Sequence, residues 1–208
     1  MSVFHRFLRL LQTSRAMPQT GYVVSGIKKS ELSDLAQHHY LVTAIGWYLA
    51  SLLKKRKGRV NLERVLEICL IHDLGELFGG DIAMPYAKDN PAANKLAKKF
   101  EQVNQKYLSK FLPDPKQAAE LFGEANVIAS IESVVAKLAD YIEVTEYKLY
   151  LGRLTEGDVE MVVKKMNKMI EKIKHVRTRE KLSELISEWS TDVSDSSGYE
   201  LFEAAKRL

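Results

Sequence analysis

The chain has 208 residues, of which 46% are hydrophobic and 28% charged, and a net charge of +4. That length and composition suit a globular protein with one sizeable core and exclude fibrous and low-complexity classes. A single cysteine, Cys69, excludes an internal disulfide framework, no apolar run approaches the roughly 18 residues that span a bilayer, and +4 is too weak to argue for nucleic acid.

Apolar residues recur with a period near 3.6, and alternating β-branched runs are few, so the expected fold is all-α. A short amphipathic helix is expected over 4–13; it lacks the apolar stretch and cleavage site of a signal peptide. Residues 18–29, with Gly21 and Gly26, read as an irregular loop. Ser33 or Asp34 caps the next helix, expected over 35–55, where Leu35, Val42, Ile45, Leu49 and Leu52 form one stripe that also carries His38. The cations Lys54, Lys55, Arg56 and Lys57 suit its C-terminal dipole, and Gly58 ends it.

Asn61 caps a helix expected to run through Cys69 and His72 to about 78, with Gly79-Gly80 as its stop. Residues 81–91 read as loop, broken by Pro85 and Pro91. Helices are then expected over 92–111, 117–121 and 127–151; the last is apolar on most sides and therefore central. Thr155 opens a Lys- and Met-rich helix of about twenty residues, suited to covering the core or pairing with a second copy. A shorter helix over 179–189, a polar, mobile 190–198 and a short terminal helix complete the expectation.

The chemistry concentrates in Ile71-His72-Asp73-Leu74-Gly75-Glu76-Leu77-Phe78-Gly79-Gly80-Asp81. On a helix, Glu76 lies at i+4 from His72 and i+3 from Asp73, so three ionisable groups share one face, with Asp81 just beyond. Burying that charge unpaired is costly, and a dication relieves it. A capping pair with solvated acids is the plainer alternative for an isolated His-Asp pair. His38 on its apolar stripe and Asp140 within Val135-Ala136-Lys137-Leu138-Ala139-Asp140-Tyr141-Ile142 point to the metal reading. Each has its own plain alternative: a core histidine with one hydrogen bond, and a salt bridge from Asp140 to Lys137 at i−3.

The order His…His-Asp…Asp resembles the HD-domain metal-dependent phosphohydrolases, most closely their small 5′-deoxynucleotidase-like branch. The resemblance is carried by Ser33-Asp34-Leu35-Ala36-Gln37-His38-His39-Tyr40, His72-Asp73-Leu74-Gly75-Glu76, Gly80-Asp81-Ile82 and Lys137-Leu138-Ala139-Asp140, and covers about 10–151. It implies one HD-domain helical bundle over 1–208, with a metal-binding core at about 30–151 and additional C-terminal helices over 155–208. It implies His38, His72, Asp73 and Asp140 as ligands of one divalent ion (Mn, Co, Fe, Ni, Zn or Mg) and Glu76 and Asp81 as acids beside the reacting water and substrate. His39 competes with His38 for the first ligand place; His38 shares the apolar stripe, which leaves His39 at the surface or behind the site.

One departure stands out. Around Pro18-Gln19-Thr20-Gly21-Tyr22-Val23 the branch has a basic residue, an aromatic and an arginine, where this chain has Gln19, Tyr22 and, near the second basic place, Ser25. Gln and Ser cannot copy the bidentate guanidinium fork. Lys28, Lys29 or Arg15 would serve as point charges, with Tyr22 stacked on a base. The expected activity is hydrolysis of nucleoside 5′-monophosphates to nucleoside and phosphate. Another small, cyclic or polyphosphorylated nucleotide, or a non-catalytic metal- or nucleotide-binding module, is the alternative. The expected setting is a cytoplasmic homodimer that engages neither membrane nor nucleic acid stably; the lysine runs at 54–59 and 164–174 read as solvated faces.

Overall fold

The computed structural model describes residues 2–79 and 82–195. Among them are nine α-helices, short 3₁₀ turns and only isolated β-bridges: α1 (Val3–Thr13), α2 (Leu35–Lys55), α3 (Leu62–Ile71), α4 (Met84–Asp89), α5 (Pro91–Leu108), α6 (Pro115–Val127), α7 (Ile131–Tyr150), α8 (Glu156–Ile170) and α9 (Val176–Asp195). The all-α expectation holds. No helix among the described residues is long and apolar enough to cross a membrane.

Capping fixes most helix starts. Asp34 accepts from the Gln37 amide while the Gln37 side chain accepts from the Asp34 amide, a reciprocal box that begins α2. Asn61 caps α3, and Thr155 with Asp158 makes the same kind of box at α8. The central helix is α7, which packs against α2, α3, α6 and α8. It starts at the Ser130 cap, later than expected, because Ile128 adopts a left-handed conformation that closes α6. Val135, Leu138 and Ala139 of α7 are fully buried with Val42 and Leu53 of α2 and Val65 and Cys69 of α3. At Gly46 of α2 an added Cβ would lie 2.7 Å from the Cys69 sulfur. The missing side chain lets α2, α3 and α7 approach closely enough for their polar residues to meet.

Several boundaries differ from the pattern reading. Residues 20–25 form a 3₁₀ turn, and the chain at Pro18 bridges back to Asp34. Residues 84–89 are helical where a loop was expected, and α6 spans thirteen residues. α9 continues to Asp195, so 190–195 is helix; the rest of the expected mobile stretch and the terminal helix lie outside the described residues. α8 buries Val159, Val162, Met166 and Ile170 against its neighbours, so its apolar face covers the core.

Candidate metal centre

α3 does not continue to 78. It ends at Ile71, with His72 as the C-cap and Asp73 leaving the helix at φ −108°, ψ 13°. The His72 Nδ1–H donates to the Cys69 carbonyl, one of the acceptors a helix end leaves unpaired. A 3₁₀ turn, Leu74–Glu76, follows, and it packs against α5 because Gly75 has no Cβ: one there would meet Glu101 Cγ at 2.8 Å. Asn104 Nδ2 donates to the Gly75 carbonyl and fixes that approach. Breaking the helix turns His72 and Asp73 toward one point, which adjacent residues on an unbroken helix, about 100° apart, do less readily.

The four predicted ligands converge. One donor atom from each of His38, His72, Asp73 and Asp140 lies within 4.8 Å of all the others. His38 Nε2 is 3.3 Å from His72 Nε2 and 3.4 Å from both Asp73 Oδ2 and Asp140 Oδ1, and His72 Nε2 is 3.3 Å from Asp73 Oδ2. Two atoms each bound at about 2.1 Å to one ion stand about 3.0–3.4 Å apart at octahedral or tetrahedral angles. The spacing therefore fits a common cation.

The tautomers fit as well. Glu143 Oε2 accepts from His38 Nδ1 at 2.8 Å and from the Tyr22 hydroxyl at 3.1 Å. With both Nδ1 atoms donating backwards, both Nε2 lone pairs face the cluster. Two lone pairs at 3.3 Å need a positive centre between them. In the metal-free protein that centre is a proton on His38. Burial opposes it, but hydrogen bonds to Asp140, Asp73 and Glu143 win and push the His38 pKa up to about 12. Burial also opposes the charges on Asp73 and Asp140; His72 and His38 hold Asp73 well below the usual carboxylate range, and Lys137 and His38 do the same for Asp140.

The proton on His38 makes metal loading depend on pH. A cation binds only after His38 loses it, so the metal-free state carries more protons than the loaded state. Raising the pH therefore favours loading, by about tenfold in affinity per unit while His38 remains protonated in the free form. Calorimetry at pH 7.5 in buffers of different ionisation enthalpy should show about one proton released per ion bound. No release would contradict this assignment.

The salt bridge from Lys137 that stood as the plain alternative for Asp140 is present beside the cluster, on the other carboxylate oxygen. Lys137 Nζ lies 2.5 Å from Asp140 Oδ2, while Oδ1 faces His38. Glu143, 2% exposed, was not legible as a site residue; its one signal is an acid at i+3 from Asp140 on an apolar helix. His39 is buried, not at the surface, with its ring 5.0 Å from that of His72. Burial and the neighbouring His72 hold its pKa down to about 3. Glu101, set behind Gly75, was also missed; burial and Asp73 push it up to about 7.

Tyr22 differs from its expected place. It is 4% exposed and its hydroxyl is turned to Glu143, so its ring supports the site from behind and presents no face for base stacking. Lys28 and Lys29 are exposed on the loop that precedes α2. Glu76 is half-buried at the end of the 3₁₀ turn that follows Asp73. Asp81 lies outside the described residues.

A family model described as HD domain matches residues 12–180. The chain belongs to the HD-domain family. Among curated relatives of this HD-domain chain, the 5′-deoxynucleotidase HDDC2 of Mus musculus is 29% identical over 140 residues, 66% of this chain and 64% of that protein. The chain thus spans just under two thirds of that relative's length. A 5′-deoxynucleotidase of Vibrio vulnificus is 29% identical over 67% of this chain and 72% of its own. Among solved structures, a conserved hypothetical protein from Pyrococcus furiosus superposes with a TM-score of 0.66 at 25% identity, covering 88% of this chain and 98% of that one.

Proposed function

We propose that this HD-domain chain is a divalent-metal-dependent phosphohydrolase that converts nucleoside 5′-monophosphates to nucleoside and phosphate. The observation that carries the reading is the convergence of His38, His72, Asp73 and Asp140 on one point, in a chain whose relatives are named 5′-deoxynucleotidases.

These four residues would hold one ion per chain, and mixed imidazole and carboxylate donors suit Mn, Co, Fe, Ni or Zn. A divalent ion supplies Lewis acidity and makes hydroxide accessible near neutral pH. Glu143 holds His38 in the required tautomer and the Cys69 carbonyl does so for His72. Glu76, one 3₁₀ turn beyond Asp73, takes the proton of the attacking water, and Asp81 is assigned to positioning the substrate. The water oxygen bonds to phosphorus, the bond to the 5′ oxygen breaks, and that oxygen takes a proton from solvent water as it leaves, while Glu76 returns its own proton to solvent. Lys28 and Lys29 stand on the loop side as further cations for an anionic substrate. The reading also takes the chain as a cytoplasmic homodimer. The exposed apolar residues Leu96, Phe100, Val103 and Tyr107, in a row along α5, support association.

The test strips the protein with chelator, reloads it with single divalent metals, and measures phosphate released from a panel of nucleoside 5′-monophosphates. Release is expected with at least one metal. Glu76→Ala should remove turnover while leaving about one ion per chain; loss of the ion as well would make Glu76 a ligand. No release with any metal overturns the reading.

A further inference from the structure

Beside Lys137, which touches the metal centre, stands a second ammonium that forms no ion pair among the described residues. Lys137 Nζ, on Asp140 Oδ2, also lies 5.3 Å from the centre of the Tyr141 ring. From α8, Lys165 reaches the same ring, with Nζ 5.7 Å from its centre. Both distances are those of an ammonium held by an aromatic quadrupole. Lys148 nearby is paired with Asp158 at 3.0 Å, but among the described residues no acid forms an ion pair with Lys165. Burial and the repulsion of Lys137, Lys88 and Lys148 hold the Lys165 pKa below the ordinary lysine range. Like charges gathered beside a partly buried ammonium are unfavourable, and an anion placed among them removes the cost.

The position is specific. Lys137 borders the cluster through Asp140, whose other oxygen Oδ1 is 3.4 Å from His38 Nε2, and Lys165 is tied to Lys137 by the Tyr141 ring that both ammonium groups approach. Lys137 spends one of its three N–H donors on Asp140 and keeps two. The loop positions where arginines were expected hold Gln19 and Ser25.

We propose that Lys165 and Lys137, set about the Tyr141 ring, form the phosphate-holding subsite of this centre, with α8 completing a site otherwise built from α2, α3 and α7. The inference rests on the phosphohydrolase reading for its role in turnover, but not for binding. The ligand class is a phosphate dianion. An ammonium reads charge without the planar geometry that a guanidinium demands, so the subsite selects the phosphate and leaves the nucleoside loosely constrained.

The test uses inorganic phosphate and the metal-loaded full chain, followed by calorimetry. Lys165→Gln should weaken phosphate binding about tenfold, the loss expected for one charge-assisted hydrogen bond. Lys168→Gln, an exposed lysine on the same helix, should stay within about twofold, and Lys165→Arg should retain most of the binding. Metal content should be equal in all four proteins. Equal phosphate affinity for the wild type and Lys165→Gln, or no binding by the wild type, overturns the proposal. Phosphate binding that depends on Lys165 in a protein that hydrolyses no nucleotide sinks the hydrolytic reading and leaves the subsite standing. Hydrolysis by Lys165→Gln at the wild-type kcat/KM removes the subsite and leaves the hydrolytic reading standing.

Discussion

Asp140→Asn should bind a divalent metal more than about 100-fold more weakly than the wild type, and turnover should fall with it. The reason is charge at close range. Asp140 Oδ1 stands 3.4 Å from His38 Nε2, and both residues are buried. It supplies one of only two anionic donors in the cluster. An asparagine keeps the shape and still offers a carbonyl oxygen, but it contributes no net charge. Replacing a partner that merely orients a ligand costs about 10–100-fold in metal affinity, so loss of an anionic ligand should exceed that range. Competition with a chelating dye measures it. Thermal unfolding supplies an independent reading, because a ligand at 100 times its Kd stabilises the wild type by about 2.7 kcal/mol. That metal-dependent rise should vanish in the variant. An affinity within tenfold of wild type would remove Asp140 from the ligand set.

Much of this site was legible because its carriers violate local rules. His38 stands on an apolar stripe, Asp140 interrupts an apolar helix, and His72-Asp73 closes another. Buried charge of that kind needs a reason, and the reason is visible in one dimension. The helix starts at Asp34, Asn61 and Thr155 were legible because capping is chemistry between near neighbours. The end of α3 was not. Leu74, Gly75 and Leu77 continue the helical pattern, and the break comes from long-range contact of Gly75 with α5. Tyr22 and Glu143 are 121 residues apart and join only through tertiary structure. The stacking role expected of Tyr22 needs an open ring face, whereas the bridge between Pro18 and Asp34 folds its loop back onto the start of α2. Helical geometry turns His39 100° from His38, which left it at the surface or behind the site; α2 is buried broadly enough to enclose both, which decides for the second.

Glu143 provides the second large effect. Among the described residues its Oε2 is the one partner of His38 Nδ1, and it accepts the Tyr22 hydroxyl at the same time. It does two separable things. It orients the ring so that Nε2 faces the cluster, and its charge raises the donor strength of that nitrogen. Glu143→Gln retains an oxygen that can accept from His38 and Tyr22, so orientation survives while the charge is lost. Glu143→Ala loses both and leaves a buried imidazole N–H unpaired, at a cost of about 1–3 kcal/mol in stability. Metal affinity should therefore fall about 10-fold in Glu143→Gln and about 100-fold in Glu143→Ala. Denaturant unfolding of the metal-free proteins separates the stability cost from the affinity cost. Tyr22→Phe, which removes only one of the two donors to Oε2, should lie between the wild type and Glu143→Gln. If Glu143→Ala binds metal as tightly as wild type, His38 is oriented by the packing of α2 alone. Glu143 would then be a buried acid whose only role is to accept the Tyr22 hydroxyl.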